Sequence, residues 1–388
     1  MKNLNFLPNQ YKKNKKFTIS HNYLSKQFSD YKIIQNKIKK IIKFNDFTLG
    51  SEVNKFEKNF SSLIKSKYCI GVGSGTDAIY LALKTLGLGN KDEVITTPYT
   101  FYATVNAIVQ ADCTPKFVDA SLKDFNIDPS LIEKKITKKT KAILVVHWAG
   151  RICDMTRIKK IAKKYKLFII EDACHAALAH NNNIMAGNFG DIGCFSMHPL
   201  KNLNVWGDGG MIVTNKNSYA EKIMLLRNHG LKNRNNIEIF GINSRLDTIQ
   251  AVVANHVLKK LNKITNARIK NAKYLDKNLK IIKEIYIPER TKKNKEVFHI
   301  YCLQVKNRNK LAKFLTSRGI DAKIHYPIPM HLQKPSKKQY GYKKGDFPIS
   351  EKLSNTTISL PVHEFIKEKE LNYMIKKIKE FYSKKINS

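Results

Sequence analysis

The chain has 388 residues, 42% of them apolar, and a formal net charge of +39. That length can bury a large core in about two or three domains. No stretch approaches the roughly 18 to 20 apolar residues of a membrane span, and the opening MKNLNFLPNQYKKNKK lacks the apolar centre of a signal peptide, so a cytoplasmic location is the default expectation. The charge does not argue for nucleic acid. Nine basic residues are arginine and 61 are lysine, set in solvent-facing pairs such as Lys39-Lys40, Lys159-Lys160 and Lys376-Lys377. The arginine forks and interleaved aromatics of base and phosphate recognition are missing, although such a field would draw in an anionic substrate. Six scattered cysteines, with no CxxC pair and no histidine at metal-ligand spacing, read as reduced core residues and predict no metal site.

In chain order, the first forty-odd residues show little pattern beyond a helical tract from Tyr31 to Ile42, and are expected to pack on a small domain or on a neighbouring subunit. From Tyr68 to Thr214 short apolar runs (YCIGVG, EVITTP, PKFVD, KAILVVHW, KLFIIED, DIGCFS, MIVT) alternate with helix-period stretches (TDAIYLALKTLG, FYATVNAIVQA, PSLIEKKI, MTRIKKIAKKY). Alternation of this kind implies a mainly parallel sheet covered by helices on both faces. The last three runs have little helix between them, which allows one antiparallel strand. After Asn243 a long helical tract, RLDTIQAVVANHVLKKLNKITNARIKNAKYLDKNL, leads into a smaller α+β part: strand HIYCLQV, helix KLAKFLTSRGI, strand AKIHYP, a proline- and glycine-rich loop and a last helix, ELNYMIKKIKEFY. The division expected is an N-terminal segment (1–44), a large α/β domain (45–255) and a small C-terminal α+β domain (256–388).

Three constellations carry chemistry. The turn Gly73-Ser74-Gly75-Thr76-Asp77 lies between a strand and a helix, where glycines permit close approach of an anion and the helix start offers unpaired N–H groups. It is neither a P-loop nor a full dinucleotide fingerprint, and such a turn also serves as an ordinary helix cap. Glu171-Asp172-Ala173-Cys174-His175 ends a strand, and strand alternation turns one of its two carboxylates toward a site; an N-cap of the next helix is the plainer alternative. Thr97-Pro98-Tyr99-Thr100-Phe101-Tyr102 supplies aromatics, of which Phe101 is the preferred stacking partner for a flat ligand. Lys201 follows the strand DIGCFS and precedes the turn WGDGG, so its amine is delivered to a sheet end, where ligands of open α/β folds bind. An isolated amine and a carboxylate at two strand ends are what pyridoxal 5'-phosphate needs: one to form a Schiff base, the other to keep the pyridine nitrogen protonated.

The ordered blocks GVGSGTDAIYLALKTLG, DEVITTPYTFYATVNAI, FNIDP, EDACHA, GDIGCFSMHPLKNLNVWGDGGMIVTN, RNHG, GINSRLD and IHYPIPMHLQ closely resemble the DegT/DnrJ/EryC1/StrS family of sugar-nucleotide aminotransferases, over roughly residues 45 to 365. The resemblance implies the type I fold of pyridoxal phosphate enzymes, with a mixed, mainly parallel sheet flanked by helices, and a homodimer with shared active sites. It makes Lys201 the Schiff-base lysine and Asp172 the pyridinium partner. His175 becomes a neighbour of the ring hydroxyl, and Gly75, Thr76 and Ser196 become phosphate contacts, with Asn243 reaching the phosphate from the other subunit. The activity implied moves an amino group from glutamate to a keto-sugar nucleotide. Two positions depart from the commonest pattern: His175 stands where glutamine is frequent, and His198 where an aromatic is frequent three residues before the lysine. His198, His325, Tyr326 and His331 are the expected substrate contacts, and the block around His325-Tyr326-Pro327 resembles the branch that aminates C3. A sugar 3-dehydratase of the same fold would carry histidine in place of Lys201. A colourless basic protein that binds DNA is the rival from another class.

Overall fold

All seven apolar runs between Tyr68 and Thr214 become strands of one sheet in the computed structural model, which describes residues 17–383. They are β1 Tyr68–Val72, β2 Glu93–Thr96, β3 Thr114–Phe117, β4 Thr140–Val146, β5 Phe168–Asp172, β6 Ile192–Ser196 and β7 Gly210–Thr214, in the spatial order β1-β7-β6-β5-β4-β2-β3. The pairs among β2 to β6 are parallel, while β7 runs antiparallel to β1 and β6. The short link 197–209 holds no helix, so β7 returns directly beside β6 rather than crossing over.

Burial on both faces explains why the runs read as continuously apolar rather than alternating. Along β4, Ile143 and Val145 enter one core cluster, and Ala142, Leu144 and Val146 enter another on the opposite face. Helices cover both faces: α1 Tyr31–Phe44, α2 Ser51–Ile64, α3 Gly75–Thr85, α4 Tyr102–Gln110, α5 Met155–Tyr165 and α6 Asn217–Leu226. α2 places Phe56 and Phe60 in the first cluster, and α3 places Ile79 and Leu83 in the second. The start of α5 is fixed by Asp154, whose carboxylate accepts the Arg157 N–H at 3.1 Å.

Three expected elements differ. PSLIEKKI forms two single 3₁₀ turns, Pro129–Leu131 and Glu133–Lys135, since Pro129 and the Asp128 cap set up one turn that Ile132 does not extend as an α-helix. The long tract splits at Lys259-Lys260 into α7 Thr248–Leu258 and α8 Leu261–Leu279. α8 is the bridge between cores: Leu261 and Ile264 pack under the large sheet, Ala272, Leu275 and Leu279 under the small one. AKIHYP is not a strand; Lys323 alone bridges to Ser359, and the chain then turns off toward Pro327, which has no N–H to donate. The small sheet is β8 Ile285–Tyr286, β9 Tyr301–Val305 and β10 Thr357–Leu360, antiparallel, with α9 Arg308–Ser317 and α10 Glu368–Ser383 packed in its core. The N-terminal segment ties into both cores, Ile19 bridging Ile320 beside the small sheet while Ile34 and Ile41 of α1 pack under the large one.

Gly210 opens β7 against the start of α3; a Cβ there would run into the Ser74 carbonyl. Gly210→Ala is therefore expected to cost about 1–3 kcal/mol and lower the melting temperature by several degrees, read by thermal denaturation followed by circular dichroism. An unchanged melting temperature would show that α3 is free to shift.

Candidate active site

A cavity of about 560 Å³ opens where β4, β5 and β6 end, between the large sheet, the small domain and the N-terminal segment. Two adjacent residues of β5 set its polarity. Glu171 points away from it and is fully buried, accepting N–H bonds from Gly187 (2.8 Å), Phe189 (2.7 Å) and Gly190 (2.7 Å), with His147 Nε2 at 2.8 Å. Asp172 takes the opposite side and lines the cavity, accepting the Thr104 hydroxyl at 2.8 Å and the Cys174 N–H at 3.2 Å. The carboxylate is thus held in place with room for one further donor.

Beside it, the first turn of α3 faces the same space. Ser74 caps the helix by accepting the Asp77 N–H at 3.0 Å, which leaves the N–H groups of Gly75 and Thr76 without intrahelical partners. A Cβ on Gly75 would lie 2.6 Å from the Ser196 Cβ, so glycine is what lets the helix start sit against the end of β6. Gly75, Thr76 and the Ser196 side of β6 form a concave, positively polarised cradle suited to a phosphate.

Lys201 enters from the loop after β6, which is anchored by Met197, Leu203 and Val205 in the core and by Met197 N–H to Gly209 O at 2.7 Å. Burial holds its amine below the ordinary lysine range, partly offset by Cys174 and Asp172 nearby. Histidines surround it. His175 Nδ1 accepts the Ala149 N–H at 3.3 Å, which assigns the hydrogen of the neutral ring to Nε2, and its ring centre is 4.4 Å from that of His299. Burial, reinforced by the Lys201 charge, pushes both rings and His198 below the usual histidine value. His325 Nδ1 lies 2.9 Å from Ser359 Oγ, and burial lowers its pKa to about 3. Phe101 sits at the mouth, 43% exposed, with its ring 4.3 Å from Tyr102 and 5.7 Å from Tyr326.

Of the expected residues, Gly75, Thr76, Phe101, Asp172, His175, Ser196, His198, Lys201, His325 and Tyr326 line this one cavity. Two do not. His331 is buried against Phe347 and hydrogen-bonds Glu351 at 3.1 Å, a core position rather than a wall of the cavity. Asn243 is exposed and lies off the cavity of its own chain. Sequence reasoning missed Thr104, Arg268, His299 and the N-terminal His21 and Tyr23. Thr104 was legible as a first-turn residue of the helix that Phe101 precedes. The others arrive from distant segments: Tyr23 stacks on His363 at 4.7 Å, and its hydroxyl accepts Arg268 Nη2 at 2.7 Å.

These features fit pyridoxal phosphate: a helix-start cradle for its phosphate, a carboxylate for its ring nitrogen, an amine that burial keeps from holding its proton firmly, and an aromatic at the mouth. The fold agrees. The chain superposes on the crystal structure of S. venezuelae DesV with a TM-score of 0.91 and 31% identity, covering 94% of this chain and 98% of that one. Fold and site together define a pyridoxal phosphate-dependent enzyme of fold type I. The sequence profile of the DegT/DnrJ/EryC1/StrS aminotransferase family matches residues 29–379, and the chain belongs to that family. It is 39% identical over 362 residues to the "pleiotropic regulatory protein" of Geobacillus stearothermophilus (92% of this chain, 97% of that protein). It is also 37% identical over 350 residues to the dTDP-3-amino-3,6-dideoxy-alpha-D-galactopyranose transaminase of Aneurinibacillus thermoaerophilus (90% and 95%). No described helix is long and apolar enough to cross a membrane, and no cluster of described residues could hold a metal ion.

Thr104→Val removes a donor from Asp172 without changing the side chain's shape, and is expected to weaken pyridoxal phosphate binding about tenfold, measured by fluorescence titration of the cofactor-free protein. Unchanged affinity would mean the hydroxyl does not orient the carboxylate. Burial lowers His363 and His325 to about 3 and His21 to about 4, from an ordinary 6.5. The unfolded chain therefore binds more protons than the fold below about pH 6.5, so stability is full above that pH and falls on acidification toward 4. The urea midpoint should be higher at about pH 7.5 than at about pH 5, and His363→Asn should flatten the difference. A midpoint independent of pH would contradict this.

Proposed function

We propose that the protein transfers an amino group from glutamate to C3 of a keto-sugar nucleotide of the 6-deoxy or uronate type, supplying amino sugars for a surface polysaccharide. The observation that carries this reading is the meeting of Lys201, Asp172 and the start of α3 in one buried cavity. The relative from A. thermoaerophilus, whose named product bears its nitrogen at C3, supports the choice of carbon. A regulatory role of the kind named for the G. stearothermophilus relative has no need of that meeting.

Pyridoxal phosphate bound here supplies an electron sink for the carbanion formed at the reacting carbon. The chain supplies the rest. Gly75, Thr76 and Ser196 bind the phosphate, and Asp172, oriented by Thr104, holds positive charge at the ring nitrogen. His175 donates from Nε2, its other nitrogen being occupied by Ala149 N–H. Lys201 Nζ would hold the cofactor covalently and, when released, serve as the base that takes the proton from the donor's α-carbon and returns one in the second half-reaction, a role eased by the burial that lowers its proton affinity. Phe101 and Tyr326 wall the mouth and exclude water from the reacting atoms.

The working unit in this reading is a homodimer. Asn243 is exposed in its own chain, on the same loop whose Ser244 hydroxyl bonds the Gly73 N–H (3.0 Å) and Asp77 (2.8 Å) at the phosphate cradle. Phe240, 92% exposed, is the kind of apolar side chain a partner surface would cover.

Purified protein supplied with pyridoxal phosphate and glutamate should aminate at least one member of a panel of 3-keto-sugar nucleotides, detected by mass. Lys201→Ala should lose both the visible absorbance and the product. Retained turnover in that variant, or activity confined to small keto acids, would overturn the assignment.

A further inference from the structure

Resting on the aminotransferase reading, we propose that Lys323 is a specificity residue whose ammonium holds a substrate carboxylate remote from the reacting carbon. Its backbone is pinned to β10, Lys323 N–H donating to Ser359 O at 3.0 Å and Ser359 N–H to Lys323 O at 2.8 Å. Lys323 and the following residues through Pro327 all line the cavity. The ammonium is steadied from behind by Asp321 Oδ1 at 2.9 Å. Asp321 is itself 5% exposed, and its other oxygen accepts the His21 N–H at 3.1 Å. The lysine side chain remains 43% exposed beside the cavity it lines, with its Nζ also 5.9 Å from the Phe17 ring centre, so the single Asp321 bond leaves N–H donors over.

Among the described residues lining the cavity, the lysine and arginine side chains are Lys201, Arg268 and Lys323. Lys201 is committed to the cofactor. Arg268 is spent on protein partners: Nη2 on the Tyr23 hydroxyl (2.7 Å), Nη1 on Phe298 O (3.3 Å), and Nε toward the Glu364 carboxylate (3.6 Å). Lys323 is the one with donors to spare. The chemistry calls for such a group. A dicarboxylic amino donor presents one carboxylate at the reacting carbon and another away from it, while a uronate acceptor carries its carboxylate at C6. Both occupy the same cavity in turn, so one ammonium beyond the reacting atoms can read either. A purely structural role explains less: an ion pair this exposed adds little stability, and Asp321 already has a backbone partner.

Binding to the cofactor-loaded enzyme, measured by calorimetry, separates the two sources without requiring turnover. The probes are glutarate against butyrate for the donor, and UDP-glucuronate against UDP-glucose for the acceptor. In at least one pair the native protein should prefer the acid. Lys323→Gln should weaken the acid about ten- to hundredfold and the neutral or shorter probe less than about threefold, while Lys323→Arg, which keeps the charge, should restore most of the loss. Loss in the first pair assigns the donor's distal carboxylate, and loss in the second the sugar's. No acid preference in either pair, or an equal loss for both members of each pair, would overturn the inference. Failure of amination with the keto-sugar panel would instead sink the proposed reaction and leave these binding ratios readable.

Discussion

The end of β5 carries two carboxylates on opposite sides of one strand, and the rest of the site depends on their being treated differently. Glu171 is satisfied three times over by the backbone of residues 187–190 and once by His147. A buried carboxylate is tolerable only when its lone pairs are filled. Those bonds lock the 187–190 turn against β5, and the chain runs from that turn directly into β6, whose end carries Ser196 and then Lys201. Asp172 is satisfied only in part, by Thr104 and Cys174, and so keeps acceptor capacity for a ligand. A one-residue slip of the strand would exchange the two, sending the unsatisfied group into the core and the satisfied one into the cavity.

Electrostatics inside the cavity and on the surface are separate matters. At physiological ionic strength the field of an exposed charge is screened over about 8 Å, so the lysine-rich exterior does not set the charge within. Inside, His21, His175, His198, His299, His325 and His363 all have lowered pKa values, chiefly through burial. They are therefore neutral donors and acceptors at neutral pH, which leaves the Asp172 carboxylate without competing imidazolium charge in the cavity. The same burial that neutralises the histidines weakens Lys201's hold on its proton, which suits the role proposed for it.

Much of this was legible in the sequence, for identifiable reasons. The large sheet was, because two-sided burial imposes apolar runs on most of its strands, and the two-residue period set the two carboxylates apart while the family resemblance picked Asp172. The glycine turn and Lys201 were placed because both sit at junctions of strand with loop or helix. What was hidden lay in sequence-distant packing. Arg268, His299 and Tyr23 reach the cavity only because α8, the approach to β9 and the N-terminal segment fold back together, and no local period encodes that. His331 misled because its sequence neighbourhood belongs to the site while its side chain turns into the core beside Phe347. AKIHYP was read as a strand, yet it makes a single bridge, Lys323 to Ser359, and from there through Pro327 the chain lines the cavity.

The central claim is that one lysine among 61 is the covalent anchor of the cofactor. Reducing the pyridoxal phosphate-loaded protein with borohydride makes any carbon–nitrogen attachment permanent, and peptide mass spectrometry then locates it. The account predicts a single modified position, Lys201, in the peptide that follows β6. Stoichiometric attachment at another lysine, or none in a protein that still aminates its substrate, would contradict it.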